Sequence, residues 1–393
     1  MRRASTPGQG WFDDLARLWW VRLPALLGRV STLLTGLASD GAYLRAWPAA
    51  AALAPIGCLL FGLLAGWTHF SSSYIALSYT NSLLLMALLT VFSGLGGGLG
   101  VWLMAGYIVG DFLLFGHGEY MGAPQAQILA RLALPIAYLL LGKLVVLAPV
   151  VSRGLRLQLL AWLRVSGMAG TIVHAGAQGG LQAALVWVWV QAAPTLIRPI
   201  YTWRGGAPTS EAMEPLQRSG LVLIILALLM GIARVVIERL PAAQRAAAAA
   251  RRDLQQAMAG RRALQTPRLP VWLAAALRSA FATYLLAGLM VTFLEVALFF
   301  GLTLAGQLLR GLVATRLAPL SRLMARVPIV LRLAAGGLVS FALASLLVPL
   351  AWNGSQQTFF PIMIPTATSM VVFALLMPAA PPAPAGITAE THP

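Results

Sequence analysis

The sequence contains little cysteine and little charge. Its 393 residues include a single cysteine, Cys58, which excludes an intramolecular disulfide and a cysteine-based metal site. Charged residues make up only 10 % of the chain, against about 25 % in soluble domains. So few charges could not cover a water-exposed surface for a chain of this length. Most of the chain is therefore expected to lie in lipid.

Recognisable enzyme motifs are also lacking. The sequence has no P-loop, no nucleophile elbow, no HExxH and no cysteine dyad. An intramembrane enzyme is not excluded, but the sequence favours a protein without catalytic activity, and no motif indicates a metal or a cofactor. Because the sequence shows no ATPase domain, ATP-driven transport by this chain would require a separate partner.

Hydrophobic residues are abundant, at 59 % of the chain. They form apolar runs of about 20 residues, the length of a helix that crosses a hydrocarbon core about 30 Å thick. The runs are continuous rather than alternating, which excludes a transmembrane β-barrel. Backbone polar groups must be satisfied inside lipid, so the spans are predicted to be helices. The sequence predicts an all-α polytopic transmembrane helix bundle with about eight spans, in a range of about seven to ten.

The basic residues are almost all arginine. Lys143 is the only lysine, and 28 basic residues against 11 acidic ones give a formal net charge of +17. In a soluble protein this charge would suggest nucleic acid, but no nucleic-acid-binding motif is present, so we expect no such partner. Cytoplasmic loops of membrane proteins carry excess arginine, which anionic lipids attract. With the arginine and alanine bias of a GC-rich prokaryotic gene, this predicts a multi-pass protein of the bacterial cytoplasmic membrane.

Charge and hydropathy divide the chain into segments. In the first, apolar residues at helical spacing are interrupted by arginines, which predicts an interfacial amphipathic helix on the cytoplasmic side. A core helix of a small N-terminal domain is the alternative. The segments are a cytoplasmic amphipathic segment at 1–45, a transmembrane bundle of about six spans at 46–237, a basic cytoplasmic helix or arm at 238–270, C-terminal transmembrane segments at 271–379 with a basic loop at 310–332, and a disordered tail at 380–393.

Two apolar stretches are too long for single spans. The glycine cluster at 94–100 is either a tight cytoplasmic turn between two spans or part of one long helix, in which pairs such as Gly106 and Gly110 let a neighbouring helix approach closely. A phosphate-binding loop is not favoured, because no Lys-Ser or Lys-Thr follows. Consistent sidedness of the arginine-rich segments favours the turn. By the same rule, 271–309 must enter and leave on one side or run along the interface.

Charged residues lie inside predicted spans, where they are costly and are functional candidates by default. Asp111 lies deep in the third span and Lys143 in the inner part of the fourth, so the two could form an ion pair between neighbouring helices. Structural pairing and transport chemistry are both open for them. Glu295, near the middle of the 271–309 stretch, has no obvious partner in the sequence and is the stronger functional candidate.

A row of small and polar residues runs along the predicted span at 167–192. Each member lies four residues from the next, which places them on one helical face. The members are Ser166, Gly170, His174, Gln178 and Gln182. Such a row in lipid must face protein or water. It is either a seam of interhelical hydrogen bonds or the wall of a polar pathway in which His174 could carry protons.

Two functions are compatible with these features. The leading hypothesis is a transporter- or permease-like protein, whose polar pathway candidates are Asp111, Lys143, His174, Gln178, Gln182 and Glu295. The alternative is a non-transporting membrane anchor or scaffold subunit that recruits a cytoplasmic partner through its basic arm. The arm residues expected to contact anionic lipid or that partner are Arg245, Arg251, Arg252, Arg261 and Arg262.

Overall fold

The structure is a computed structural model, and it describes the chain in segments. The described residues are 7–28, 32–68, 76–115, 124–163, 167–203, 210–259, 270–285, 293–351 and 360–377. Within them the secondary structure is helical and no residue lies in a strand, so the predicted all-helical class is confirmed. The chain forms two compact units, Met1–Pro267 and Arg268–Pro393. The predicted tail at 380–393 lies outside the described residues.

The first unit contains ten helices among its described residues. They are α1 (Pro7–Arg17), α2 (Leu23–Leu27), α3 (Thr32–Ala38), α4 (Pro48–Thr68), α5 (Ala76–Leu95), α6 (Gly97–Phe115), α7 (Pro124–Leu163), α8 (Gly167–Trp203), α9 (Ser210–Arg239) and α10 (Pro241–Ala259). Proline at the first position of α4, α7 and α10 suits helix starts, where the missing N–H would have no partner. Within the unit α8 packs against α7 and α9, and α5 lies against α6, α7 and α9.

The N-terminal segment is helical, but it consists of several short helices rather than one interfacial helix, and part of it is buried against the rest of the unit. A π-helical turn at Leu18–Arg22 joins α1 to α2, and the chain starts again with α3. Trp20 is buried and its indole Nε1 donates a 2.9 Å hydrogen bond to the carbonyl of Ala51 in α4. Arg17 and Arg22 are exposed on the other face. The apolar face therefore packs on protein, and the position of this segment at the membrane interface stays a prediction.

The glycine cluster forms a tight turn, as the sequence favours. Helix α5 ends at Leu95 and α6 begins at Gly97, so only Gly96 separates them. Glycines farther along α6 also let α4 approach closely: a Cβ added at Gly106 would lie 2.1 Å from the carbonyl oxygen of Leu59. The alternative of one long helix through the glycine cluster is therefore wrong, but the close approach of a neighbouring helix at Gly106 and Gly110 is present on α6.

Helices α4 and α6 run in parallel. Gly106 lies against Leu59 and Gly110 against Leu63, where a Cβ added at Gly110 would be 2.2 Å from the Leu63 carbonyl oxygen. Residue numbers therefore increase in the same direction along both helices. The start of α4, the α5–α6 turn and the ends of α7 and α9 meet at one end of the unit, which we call the charged end. Arginines from α7, α9 and α10 lie at this end, namely Arg153, Arg156, Arg234, Arg239 and Arg251. This is expected if arginine-rich segments share one side of a membrane.

Among the described residues, five helical segments are long and apolar enough to cross a membrane. They are Pro48–Trp67, Leu141–Leu163, Ser219–Arg239, Val296–Val313 and Ile329–Leu350, and shorter apolar helices lie at Leu85–Leu95, Gly97–Leu113 and Met363–Leu376. Large apolar side chains such as Leu64 and Phe341 are exposed on their outer faces, which suits a lipid surround. The protein is therefore a multi-pass helical membrane protein, and the total of about eight spans stays a prediction.

The second unit divides the long 271–309 stretch into two helices. Its helices are α11 (Val271–Leu285), α12 (Phe293–Arg316), α13 (Ala318–Arg326), α14 (Ile329–Ala351) and α15 (Phe360–Leu376). The Ser279 hydroxyl donates to the carbonyl of Val296 and the Thr303 hydroxyl to that of Ala275, both at 3.4 Å, so α11 and α12 are antiparallel. In an antiparallel pair the chain enters and leaves on the same side. This agrees with the expectation from the arginine distribution that 271–309 begins and ends on one side of the membrane.

The segment 310–332 is largely helical rather than a loop. It covers the last turns of α12, all of α13 and the start of α14. Its first arginine, Arg310, donates a 2.9 Å hydrogen bond from Nε to the carbonyl of Met377, just beyond α15. The prediction of a loop was based on the arginines alone. The apolar residues between them, such as Leu323, are compatible with the helix α13.

Candidate functional site

Five charged side chains meet at the charged end of the first unit. They are Asp40, Arg153, Arg156, Arg234 and Glu238, and we call them the charged cluster. Arg234 is 0 % exposed, and Asp40 and Arg156 are each 5 % exposed. They come from the N-terminal segment, α7 and α9, so three separate parts of the chain are joined by buried charge.

Asp40 is held at the centre of the cluster by main-chain and side-chain donors. Its carboxylate accepts hydrogen bonds from Arg234 Nη2, from Arg153 Nη1 at 3.3 Å and from the backbone N–H of Gly97 at 2.8 Å. Gly97 is the first residue of α6, where the free N–H groups and the helix dipole favour a carboxylate. The glycine turn thus binds an anion, but the anion is a side chain of the protein itself.

Gly41 makes this arrangement possible. It adopts φ +103°, a conformation that side chains other than glycine rarely reach, immediately after Asp40. A Cβ there would also lie 3.0 Å from the Trp20 ring and 3.1 Å from the Cα of Gly96. The corner therefore needs glycine both for its backbone angle and for its close approach to the α5–α6 turn.

Glu238 forms the other half of the cluster. Its carboxylate lies 3.0 Å from Arg234 Nε, 3.4 Å from Arg156 Nη2 and 3.7 Å from Arg153 Nε. Arg234 and Glu238 are four residues apart on α9, so they share one helical face. Three guanidiniums against two carboxylates leave one surplus positive charge in the cluster.

The surroundings of Asp40 keep it ionised. Burial alone would raise its pKa, but the guanidiniums of Arg234 and Arg153 and the Gly97 N–H hold the pKa of Asp40 below its ordinary value. Burial raises the pKa of Tyr43 well above its ordinary value, so its hydroxyl stays protonated and donates to the carbonyl of Leu95. The cluster is thus an ionised core with a neutral phenol beside it.

The basic arm packs over this corner. Within the predicted basic segment, α10 is helical and packs on the N-terminal segment: Ala243 and Ala250 are buried, and Asp253 pairs with Arg45 at 3.0 Å. A cavity of about 330 Å³ separates α10 from the cluster, with Asp40, Arg153 and Glu238 among its lining residues. The arginines Arg245, Arg251 and Arg252 are exposed, while Arg261 and Arg262 lie outside the described residues.

The polar row on α8 faces protein. Gln178 and Gln182 are buried, at 0 % and 1 % exposure, whereas Val173 and Val188 on the opposite face are exposed. The Gln178 amide Nε2 donates to the hydroxyl of Ser152 at 2.6 Å and to the carbonyl of Pro149 at 3.3 Å. The amide oxygens of both glutamines have no hydrogen-bond partner among the described residues. His174 is half-buried at the charged end of the row, and Ser166 lies outside the described residues.

The other pathway candidates lie on other helices. Asp111 is 3 % exposed and accepts a 3.4 Å hydrogen bond from the hydroxyl of Tyr138. Lys143 is half-buried in α7, and the ion pairs among the described residues do not include one between it and Asp111. Glu295 lies in the first turn of α12, in the second unit, and its side chain is outside the described residues. The hydrogen bonds described for Asp111 and for Gln178 thus join each of them to a different part of α7.

The charged cluster was not predicted as a site, although signals for its members exist. Arg234 lies inside the predicted transmembrane bundle at 46–237, so the cost of charge in lipid applies to it as it does to Asp111. Arg234 and Glu238 have the four-residue spacing of an ion pair on one helix. Asp40 precedes Gly41 in an Asp-Gly turn signal within a mostly basic segment. No sequence pattern joins Asp40 to α9.

Comparison of the chain with models of protein families, with curated proteins and with solved structures found no match.

Proposed function

We propose that this chain is a transporter- or permease-like protein of the bacterial cytoplasmic membrane, in which the charged cluster is a gate at the cytoplasmic end. The observation that carries the proposal is a link between the charged cluster and the polar row on α8. Gln178 of that row donates to the hydroxyl of Ser152, the residue before Arg153 of the cluster, and both Gln178 and Gln182 are buried.

The energetics of the cluster support a gate that opens rather than a permanent structural contact between helices. Removing charges from water is costly, and a buried ion pair is often no more stabilising than apolar residues of the same volume. Arg234 Nη1 also has no hydrogen-bond partner among the described residues, so the cluster is not fully satisfied as it stands. Because these charges regain water when they separate, opening the cluster costs less free energy than opening a packed apolar core of similar size. We infer that it opens during function.

The geometry of α8 and α9 supports a path behind the gate. One turn before Arg234, Gly231 lies against Gly179 of α8, where an added Cβ would be 2.7 Å from the Gly179 Cα. Gln182 Nε2 lies beside Gly94 at the end of α5, 3.2 Å from where a Cβ would be. Gln182 therefore lies where α5 meets α8, close to the α5–α6 turn that binds Asp40 of the cluster.

A cysteine-accessibility experiment tests this proposal. In a Cys58→Ser background, Gln182→Cys should react with a small polar maleimide added from the cytoplasmic side, because a thiol needs water in order to ionise and react. Adding Asp40→Asn, which removes the central charge of the gate, should increase the rate of that reaction. The measurement is the labelling rate in oriented membrane vesicles.

Two matched variants control for nonspecific effects. Val188→Cys lies on the exposed apolar face of α8 and should stay unreactive with and without Asp40→Asn, unless the charge removal unfolds the bundle. Asp253→Asn breaks the more exposed pair with Arg45 and should leave labelling at position 182 unchanged. If Gln182→Cys is silent both with and without Asp40→Asn, the transport proposal fails.

The second candidate function is a membrane anchor or scaffold subunit. Absence of labelling at Gln182→Cys would favour it. The observation behind it is the arm: α10 is fixed to the N-terminal segment by its alanine face and turns Arg245, Arg251 and Arg252 outward. A fixed helix with an arginine face is suited to anionic lipid headgroups or to an acidic surface of a cytoplasmic protein partner. Asp111 and Gln178, each hydrogen-bonded by a neighbouring helix, also fit a purely structural role.

A further inference from the structure

A second, smaller cavity lies at the charged end, on the other side of Glu238. It has a volume of about 150 Å³ and is bordered by α7, α8, α9 and α10. Its polar lining residues are Arg156, His174, Glu238, Arg239 and Gln244. We propose that this cavity binds the phosphate group of an anionic membrane phospholipid. The proposal holds whether or not the chain transports a solute.

Arg156 supplies the donors for such a group. It is 5 % exposed, and its Nε and Nη1 atoms are buried without a hydrogen-bond partner among the described residues. Only Nη2 is engaged there, at 3.4 Å from Glu238. Buried N–H groups left unpaired are costly, and each free N–H of a charged guanidinium can form a strong hydrogen bond to a phosphate oxygen. The side chain is therefore poised for an acceptor that the described protein does not provide.

The charge balance favours an anion even though a carboxylate borders the cavity. Glu238 is already shared by Arg153, Arg156 and Arg234, and the charged cluster keeps one surplus positive charge. Arg239, which is exposed, adds a second positive charge at the cavity. The Gln244 amide donates to the Arg239 carbonyl at 3.4 Å, which ties α10 to the rim.

Size and position point to a lipid headgroup. A volume of about 150 Å³ is below the range of about 300–1,000 Å³ typical of small-molecule pockets, so only a small group such as phosphate would fit inside. Leu157, half exposed, borders the cavity on the outer surface of the bundle. Arg239 is the last residue of the candidate span Ser219–Arg239, so the cavity opens where lipid headgroups lie. Basic pockets between spans bind anionic headgroups in this position.

Lipid titration of the full-length protein tests the proposal. The protein is purified in neutral detergent and titrated with short-chain phosphatidylglycerol, short-chain phosphatidylcholine or inorganic phosphate, and bound lipid is counted by native mass spectrometry. We expect one tightly held phosphatidylglycerol and about tenfold weaker binding in Arg239→Gln, since a charge-assisted contact to phosphate is lost. Arg245→Gln is the matched control, because Arg245 is equally exposed but does not line the cavity, and its binding should equal the wild type.

Several outcomes would overturn the proposal. Equal binding of phosphatidylglycerol and phosphatidylcholine would mean that the phosphate charge is not recognised. Displacement of the lipid by inorganic phosphate at equal affinity would mean that the site takes free phosphate. Equal losses in Arg239→Gln and Arg245→Gln would mean general attraction to the arm. Arg156→Gln should abolish the tight site, and a normal helix content of that variant by circular dichroism shows that the loss is not unfolding.

Discussion

Replacing Arg234 with glutamine is the sharpest perturbation of the charged cluster. Arg234 is fully buried, and it bonds Asp40 through Nη2 and Glu238 through Nε. Its loss leaves two buried carboxylates with weaker contacts to Arg153 and Arg156, at 3.3–3.7 Å. Breaking a buried ion pair by removing one partner costs about 3–5 kcal/mol. We expect Arg234→Gln to lower the free energy of unfolding by about that amount.

The assay is reversible unfolding of the purified full-length protein in mixed micelles by increasing amounts of sodium dodecyl sulfate, followed by far-ultraviolet circular dichroism. Arg245→Gln, at an exposed arginine, should change the free energy by no more than about 0.5 kcal/mol. The double variant Asp40→Asn with Arg234→Gln should lose less than the sum of the single variants, with a coupling of about 0.5–3 kcal/mol. A loss in Arg234→Gln as small as that in Arg245→Gln, or strict additivity with Asp40→Asn, would refute the buried cluster.

The same assay tests two further features. Gly106→Ala should destabilise the protein by about 1–3 kcal/mol, because its Cβ would lie 2.1 Å from the Leu59 carbonyl oxygen. Gly57→Ala, where nothing lies within 4 Å, should be neutral or stabilising by up to about 1 kcal/mol, and equal effects at the two glycines would contradict the close packing of α4 and α6. Because the pKa of Asp40 is lowered in the folded state, its contribution is present above its ordinary value of 3.8 and is lost as pH falls through the folded-state pKa. The wild type should therefore lose stability more steeply than Asp40→Asn on acidification from about pH 5 towards pH 2, and parallel curves would show that Asp40 is not paired.

Much of the architecture follows from local properties of the sequence. Low charge and continuous apolar runs determine a helical membrane protein, because lipid forces each backbone group to pair within its own segment. The helix α10 follows from its alanine content. The turn at Gly96 is favoured by the distribution of arginine, since the glycines alone are compatible with one long helix. The burial of Gln178 and Gln182 on one face of α8 follows from their four-residue spacing, because polar side chains of a membrane helix avoid the face in contact with lipid.

The partners of individual charges do not follow from such patterns. Asp111 and Lys143 are suitably placed in sequence for an ion pair, yet Asp111 meets the Tyr138 hydroxyl, because the rotation of each helix about its axis is set by packing. The 271–309 stretch carries no turn signal, and only contacts such as that of Ser279 with Val296 reveal an antiparallel pair.

The sequence by itself determined that this protein is a membrane protein and that it is helical, because both properties are sums over local composition. The charged cluster was decided by tertiary structure. Asp40 and Arg234 are 194 residues apart, and no periodicity or spacing relates them. They meet because Gly41 turns the chain onto the start of α6 while the ends of α7 and α9 converge on the same corner. A charge in the interior of a protein needs a partner, but which partner it finds depends on how distant helices pack.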